Sequence, residues 1–214
     1  MINVDKHKVF ISFKYTEHHE WKDYLIRLND EFKIFEDYSV GEGEIDDTNM
    51  TDEQIRKKIR DEWIRNASVL VLLNGSGMRD SKFIDWELHA AMYDGLINKK
   101  MGILVINLPD NGSLNLVNLT GLVKKITDEN NKHLSWGPMK SYEEELSKKV
   151  HWPKRLVKNV VRDGVKIDAI DWNDLEYFGP EKMADRLKEL IHESFKNRET
   201  NDYDTSDKLQ GRNL

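Results

Sequence analysis

The chain has 214 residues, of which 38% are hydrophobic, enough for one core of ordinary size without a second domain. The formal net charge is −6, and basic residues are scattered among acidic ones, which argues against binding to nucleic acid. The absence of cysteine excludes disulfides, thiolate nucleophiles and cysteine-ligated zinc, and it is consistent with a reducing cytoplasm.

The apolar runs of the chain are short. The longest, residues 69–73 and 103–106, are far below the length that spans a membrane, and residues 1–8 lack the apolar stretch of a signal peptide. We therefore expect a soluble, cytoplasmic protein without membrane contact. Residues 198–214 are polar, with almost no aliphatic side chains, and we expect them to form a disordered tail.

The first part of the chain predicts a strand, a helix, a short strand and a second helix. Residues 8–13 are apolar on both alternating faces until a serine, as in a central strand of a parallel sheet. Residues 21–32 carry apolar side chains at helical spacing, and residues 33–38 form the second strand. Thr51 and Gln54 have the spacing of a capping box, which predicts a helix start.

The middle of the chain continues the alternation of strands and helices. We predict a third strand at residues 67–73, a helix at 81–97 and a fourth strand at 101–107. Short connections between alternating strands and helices favour an α/β fold with a parallel sheet and helices on both faces.

The pattern loosens after Pro109. We interpret residues 110–164 as an insertion between strands four and five, with one helix near residues 141–150. Residues 165–170 form the predicted fifth strand, and Gly179-Pro180 begins a last helix that runs to about residue 196. The sequence thus predicts a single domain over residues 1–197.

Glu87 is the main candidate for chemistry. It follows the third strand and a turn that contains glycine, and open α/β sheets bind their ligands at the carboxyl ends of their strands. Helical geometry places it beside an apolar stripe, on a half-buried flank where a carboxylate can attract hydroxyls and positive charge. The alternative is a solvent-facing glutamate in a helix salt bridge.

The segment around Glu87 resembles a motif of TIR domains. Residues 81–87 read Ser-Lys-Phe-Ile-Asp-Trp-Glu, similar to the Ser-x-Trp-Cys-x-x-Glu segment of that family, with Phe83 and Ile84 in place of tryptophan and cysteine. Residues 9–15, Val-Phe-Ile-Ser-Phe-Lys-Tyr, resemble the first TIR strand, and residues 35–40 resemble the second. The chain is similar to the bacterial TIR-like proteins of Thoeris antiphage systems.

The resemblance implies a flavodoxin-like, three-layer domain with a parallel five-stranded sheet that cleaves the nicotinamide–ribose bond of NAD+. NAD+ is then the substrate, no further cofactor is required, and the product is ADP-ribose or a cyclic isomer that signals to an effector protein. Self-association would complete the site. Glu87 would be catalytic, and the substrate-binding residues would be Ser12, Phe13, Tyr15, Ser81 and Phe83. One acid can suffice, because nicotinamide leaves as a cation without protonation.

Two other functions remain open. The same fold could be a non-enzymatic interaction module, or it could carry a nucleoside deoxyribosyltransferase-like activity, which also uses a glutamate on such a sheet. A phosphoacceptor receiver domain is disfavoured, because the third strand ends in Asn74 where an aspartate is required.

Several polar segments allow two interpretations. Residues 74–77 could present amides to a phosphate or form a plain turn, and the acidic loop 39–50, in the place of the mobile TIR loop, could bind a cation or be a solvated turn. The seven histidines lack metal-ligand spacing, so we predict no metal site and interpret most of them as surface residues.

Overall fold

We describe the protein from a computed structural model of the chain. The structure describes residues 5–39, 50–58, 61, 64–95, 99–111, 152–162 and 164–210.

The described residues form one sheet of five parallel strands in the order β2-β1-β3-β4-β5. The strands are β1 Lys8–Ser12, β2 Glu36–Asp37, β3 Val69–Asn74, β4 Gly102–Asn107 and β5 Asp168–Asp171. This order is that of flavodoxin-like domains, and it confirms the predicted fold class. Every residue of β3 and β4 is buried, because helices cover both faces, which explains why these strands are apolar throughout.

Six α-helices accompany the sheet in the described parts of the chain. They are α1 Tyr15–Phe32, α2 Asp52–Lys58, α3 Lys82–Met92, α4 Lys154–Val160, α5 Trp172–Glu176 and α6 Pro180–Thr200. The predicted capping box of α2 is present, because Thr51 N–H donates to Gln54 at 2.8 Å and Gln54 N–H donates to the Thr51 hydroxyl at 3.3 Å.

The predicted helix at residues 81–97 is too long. α3 ends at Met92, since Tyr93 has extended backbone angles and residues 93–95 are not helical. The carbonyl of Ala91 instead accepts a hydrogen bond from the Met101 N–H at 2.7 Å. This contact turns the chain from α3 directly towards β4.

The core consists of two apolar clusters, one on each face of the sheet. One cluster joins β1, β3 and β4 to α3 and α4, and the other joins the opposite side chains of those strands to α1, α5 and α6. The first cluster includes Trp152, which is fully buried just before α4. α3 therefore lies on the α4 side of the sheet.

The interpretation of residues 110–164 as an insertion is wrong for their last part. α4 lies between β4 and β5 in the chain, and its apolar side chains pack on the core beside α3. It is therefore the crossover helix that a parallel β4–β5 pair requires. The helix predicted near residues 141–150 falls outside the described ranges.

The prediction of a disordered tail is wrong for residues 198–210. Residues 198–200 complete α6, and residues 201–210 lie against the domain with Asn201 fully buried and Tyr203 9% exposed. Their polar groups bond to the body of the protein, so the low apolar content that predicted disorder does not leave them without partners.

Gly102 allows α6 to approach the sheet closely. A Cβ atom at this position would lie 1.9 Å from the Ser194 carbonyl oxygen, and the neighbour is backbone that a rotamer change cannot move. We expect Gly102→Ala to lower the free energy of unfolding by about 3 kcal/mol or more through overpacking. Urea unfolding followed by circular dichroism measures this loss.

Gly164→Ala is the matched control for that experiment. Gly164 has a φ of 78°, and a Cβ atom there would have no atom of the described residues within 4 Å, so alanine adds backbone strain without a clash. We expect a loss of about 1 kcal/mol. Equal losses in the two variants would contradict a steric role for Gly102.

Candidate functional site

Glu87 is held on the second turn of α3. Ser81 caps the helix, and its hydroxyl accepts a hydrogen bond from the Ile84 N–H at 3.5 Å. Ile84 and Leu88 are buried against the sheet, which fixes the rotation of the helix about its axis. The side chain of Glu87 is consequently buried as well, with 8% of it exposed.

Ser12 is the hydrogen-bond partner of Glu87. It is the last residue of β1, is fully buried, and donates its hydroxyl hydrogen to Oε2 of Glu87 at 2.6 Å. β1 lies between β2 and β3, where the order of the strands reverses, and this is the place where open α/β sheets bind ligands. The structure therefore brings together two of the predicted site residues at the expected edge of the sheet.

Burial changes the acidity of Glu87. Loss of hydration raises its pKa from 4.5 to about 7, and the hydrogen bond from Ser12 offsets part of that rise. Glu87 is more buried than helical geometry predicted, since that geometry placed it on a half-buried flank of the helix. Near neutral pH the protonated and ionised forms are both populated, so a nearby positive charge can shift the balance towards the carboxylate.

Phe13 and Tyr15 lie at the same edge of the sheet, on the connection from β1 to α1. Their rings are tilted, with centroids 6.2 Å apart, and the Lys22 ammonium lies 5.6 Å from the Phe13 ring. Tyr15 is 46% exposed and stacks on His19. Phe13 packs with the α1 side of the core, so its described contacts are on the face opposite α3, and substrate binding by these rings stays a prediction.

Ser81 and Phe83 contribute to the structure of α3. The Ser81 side chain caps the helix, and Phe83 packs edge-on against Trp86 with ring centroids 5.4 Å apart. Lys82 places its ammonium 4.7 Å from the Phe83 ring. These contacts explain how an aromatic residue at this position supports the helix, while a role in substrate binding stays a prediction.

A second polar cluster at the carboxyl edge was not predicted. The imidazole of His18 is fully buried, and its Nε2 lies 2.9 Å from Oδ2 of Asp110, which also accepts the Ser76 N–H and hydroxyl at 3.1 and 2.8 Å. Burial alone would raise the pKa of Asp110, but the hydrogen bonds from His18 and Ser76 outweigh it and lower the value. His18 is therefore an exception to the expectation of surface histidines.

This cluster bears on the predicted phosphate cradle at residues 74–77. The amide of Ser76 donates to Asp110, and the amide of Gly75 donates to the Leu73 carbonyl at 3.2 Å. A carboxylate of the chain itself thus occupies one of the donors that a phosphate would need. The turn interpretation is favoured.

A row of amide side chains continues along the same edge. Asn74, Asn107 and Asp171 are paired in register at the ends of β3, β4 and β5. Asn107 donates its amide hydrogens to Asp171 at 2.9 Å, so its oxygen accepts from Asn74 at 3.1 Å and from Asn111 at 3.0 Å. In the described part of the chain, the amide oxygens of Asn74 and Asn111 are buried without hydrogen-bond partners.

Metal-binding side chains do not cluster in the described ranges: no group of three or more histidine or acidic residues there could hold an ion. The acidic residues of the loop 40–49 fall outside those ranges. Among the described helices, none combines the length and the apolar character needed to cross a membrane.

Part of the chain is similar to a known protein family. Residues 10–113, slightly less than half of the chain, match the family model described as Thoeris protein ThsB, TIR-like domain. This range holds the last three residues of β1, all of β2 to β4, and Ser12 and Glu87. No curated protein and no solved structure gives a significant match.

Replacement of Glu87 by glutamine should stabilise the protein at alkaline pH. The pKa of Glu87 in the folded state, about 7, lies above the ordinary 4.5, so the folded protein binds the proton more tightly than the unfolded chain. The stability that this proton contributes is complete below pH 4.5 and is lost as the pH rises through about 7. Relative to Glu87→Gln, the wild-type free energy of unfolding should therefore fall across that window by up to roughly 3 kcal/mol. Urea unfolding at both ends of the window measures the difference; a gap independent of pH would contradict the assignment.

Proposed function

We propose that this chain, a TIR-like protein similar to the TIR subunit of Thoeris systems, cleaves the nicotinamide–ribose bond of NAD+ in antiphage defence. The family match supports the role in defence. One observation supports the chemistry. Glu87 is buried at the carboxyl edge of the sheet, where the order of the strands reverses, and its carboxylate accepts a hydrogen bond from the Ser12 hydroxyl. The reaction would take place in the cytoplasm.

The proposed reaction breaks the bond between C1′ of the ribose and the pyridinium nitrogen. The bonding electrons leave with nicotinamide, which becomes neutral, and positive charge develops on the ribose. A water oxygen then bonds to C1′ and loses a proton, which gives ADP-ribose. If a nitrogen of the adenine base attacks C1′ in place of water and the base loses a proton, the product is a cyclic ADP-ribose, which contains one water molecule less than ADP-ribose.

Glu87 would act by placing negative charge beside the ribose. A buried carboxylate interacts strongly with developing positive charge, because little water screens it. The pyridinium ring of NAD+ is itself a cation, so its arrival would favour ionised Glu87 over the protonated form. The Ser12 hydroxyl would hold one carboxylate oxygen in place and leave the other for the ribose.

The product would act as a signal rather than as an end product. A small ADP-ribose derivative can diffuse to a separate effector protein, and self-association of the chain would complete the site around Glu87. Neither step requires nucleic acid or a membrane.

The decisive test is release of nicotinamide from NAD+. We expect the purified protein, alone or with a lysate of phage-infected cells, to release nicotinamide, and Glu87→Gln to lower the rate roughly 100-fold or more. Glu193→Gln is the matched control, since Glu193 is an exposed glutamate of α6 paired with Lys196. Equal rates for wild type and Glu87→Gln would contradict the proposal, and base exchange between deoxynucleosides would support a deoxyribosyltransferase instead.

The pH dependence gives an independent test of the same residue. If ionised Glu87 is required, kcat/KM should fall about tenfold per pH unit below the pKa of the free protein. That midpoint is expected at about 7. Ser12→Ala removes a hydrogen bond that lowers the pKa of Glu87, so the midpoint should move to higher pH. A midpoint that does not respond to Ser12→Ala would exclude Glu87 as the titrating group.

A further inference from the structure

The segment that follows α6 is held on the domain by side chains. We refer to residues 201–210 as the C-terminal strap; they have no regular secondary structure. At its start, the Asn201 side chain accepts the Lys166 N–H at 2.6 Å and donates to the Lys166 carbonyl at 2.9 Å. The Tyr203 hydroxyl donates to the Met101 carbonyl at 3.1 Å. These bonds attach the strap beside the beginnings of β4 and β5.

The middle of the strap binds to α4. The Asn159 side chain accepts the Asp204 N–H at 2.7 Å and donates to the Asp204 carbonyl at 3.1 Å, as a neighbouring strand would. The Lys158 ammonium forms ion pairs with Asp204 at 3.0 Å and with Asp207 at 2.7 Å. The strap therefore crosses α4 in a defined register.

The end of the strap forms hydrogen bonds to α3 through the peptide groups of Gln210. The Gln210 N–H donates to Oδ2 of Asp85 at 2.9 Å, and its carbonyl accepts the indole N–H of Trp86 at 2.8 Å. Arg155 of α4 binds the same Asp85 through two nitrogens, at 2.8 and 3.2 Å. Arg155 and Asp85 are 2% and 5% exposed, so hydrogen bonds to these partners take the place of hydration by water.

The residues bound by the strap directly precede Glu87. Successive helical residues are separated by about 100° around the axis, so Glu87 lies about 200° from Asp85 and about 100° from Trp86. Relative to Ile84 and Leu88, which face the sheet, Asp85 and Glu87 lie on opposite flanks of α3 and Trp86 faces away from the sheet. The two bonds from Gln210 thus act on the side of α3 away from the bond that Ser12 makes. The helix is held between the strap and the sheet.

From this arrangement we infer that the C-terminal strap positions the catalytic helix, with the peptide groups of Gln210 keeping Glu87 against Ser12. The inference rests on the proposed function only in taking Glu87 as the reactive group. Asp85 and Trp86 are positioning residues, since they act through α3. Loss of the Gln210 contacts would remove a partner from a buried carboxylate and from a buried indole N–H, and α3 would move outwards until water reached them.

Exposure of Glu87 gives a signal that does not need NAD+. The carboxyl carbon resonance of Glu87, assigned by its absence in Glu87→Gln, reports the pKa of the side chain in the intact chain. In the wild type this value should be about 7 because of burial. If α3 moves outwards, water returns to the carboxylate and the value should fall towards 4.5.

Gln210→Pro tests the strap at one bond, because proline lacks the N–H that Asp85 accepts. Gln210→Ala is its control, since it keeps both peptide groups and removes only the side chain, whose described contact is a 3.4 Å bond to the Arg79 carbonyl. We expect a lower Glu87 pKa in Gln210→Pro and the wild-type value in Gln210→Ala. Trp86→Phe removes the other bond without altering the strap, and should lower the pKa as well.

Circular dichroism spectra and cooperative thermal unfolding establish that each variant is folded. A wild-type Glu87 pKa in both Gln210→Pro and Trp86→Phe would overturn the inference, as would an equal fall in Gln210→Ala and Gln210→Pro. This test is independent of the proposed function. If the wild-type protein fails to release nicotinamide, the Glu87 pKa values of the variants still show whether the strap positions Glu87.

Discussion

The hydrogen bond between Ser12 and Glu87 is the interaction on which the candidate site depends. It joins the end of β1 to the second turn of α3 at 2.6 Å, without water between them. A carboxylate in this position is costly unless it is paired or protonated, which is why the pKa of Glu87 rises. In the proposed reaction, the same burial that makes the charge costly would also strengthen its attraction to the cationic substrate.

The fold explains how such a group is maintained. β1 and β3 pair in register from Val9 to Ser12, so the position of the serine is fixed by the most buried part of the sheet. α3 is fixed by apolar contacts on the side that faces the sheet and, on the flank opposite Glu87, by the bonds from Arg155 and the strap to Asp85. The candidate residue Glu87 thus lies on a helix that the sheet, α4 and the strap hold in place.

The sequence predicted the parts of the site that local patterns describe. The position of Glu87 after an apolar strand and a turn predicted a site at the carboxyl edge of the sheet, and the TIR resemblance added Ser12, which ends another apolar strand. Partners far apart in the chain were missed: His18 and Asp110 are 92 residues apart, and Gln210 and Asp85 are 125 apart. Composition alone predicted a disordered tail, because it counts apolar side chains and not the amide and ammonium groups, such as those of Asn159 and Lys158, that bind the strap.

In the row of amide side chains that ends at Asp171, the hydrogen bonds along this edge of the sheet all point in one direction, towards β5. The Asp171 carboxyl group accepts the amide of Asn107, and the oxygen of Asn107 accepts the amide of Asn74, so both amides present their hydrogens towards β5 and their oxygens away from it. The oxygens of Asn74 and Asn111 are left as buried acceptors, so only a hydrogen-bond donor small enough to enter the fold, such as a water molecule, could satisfy them.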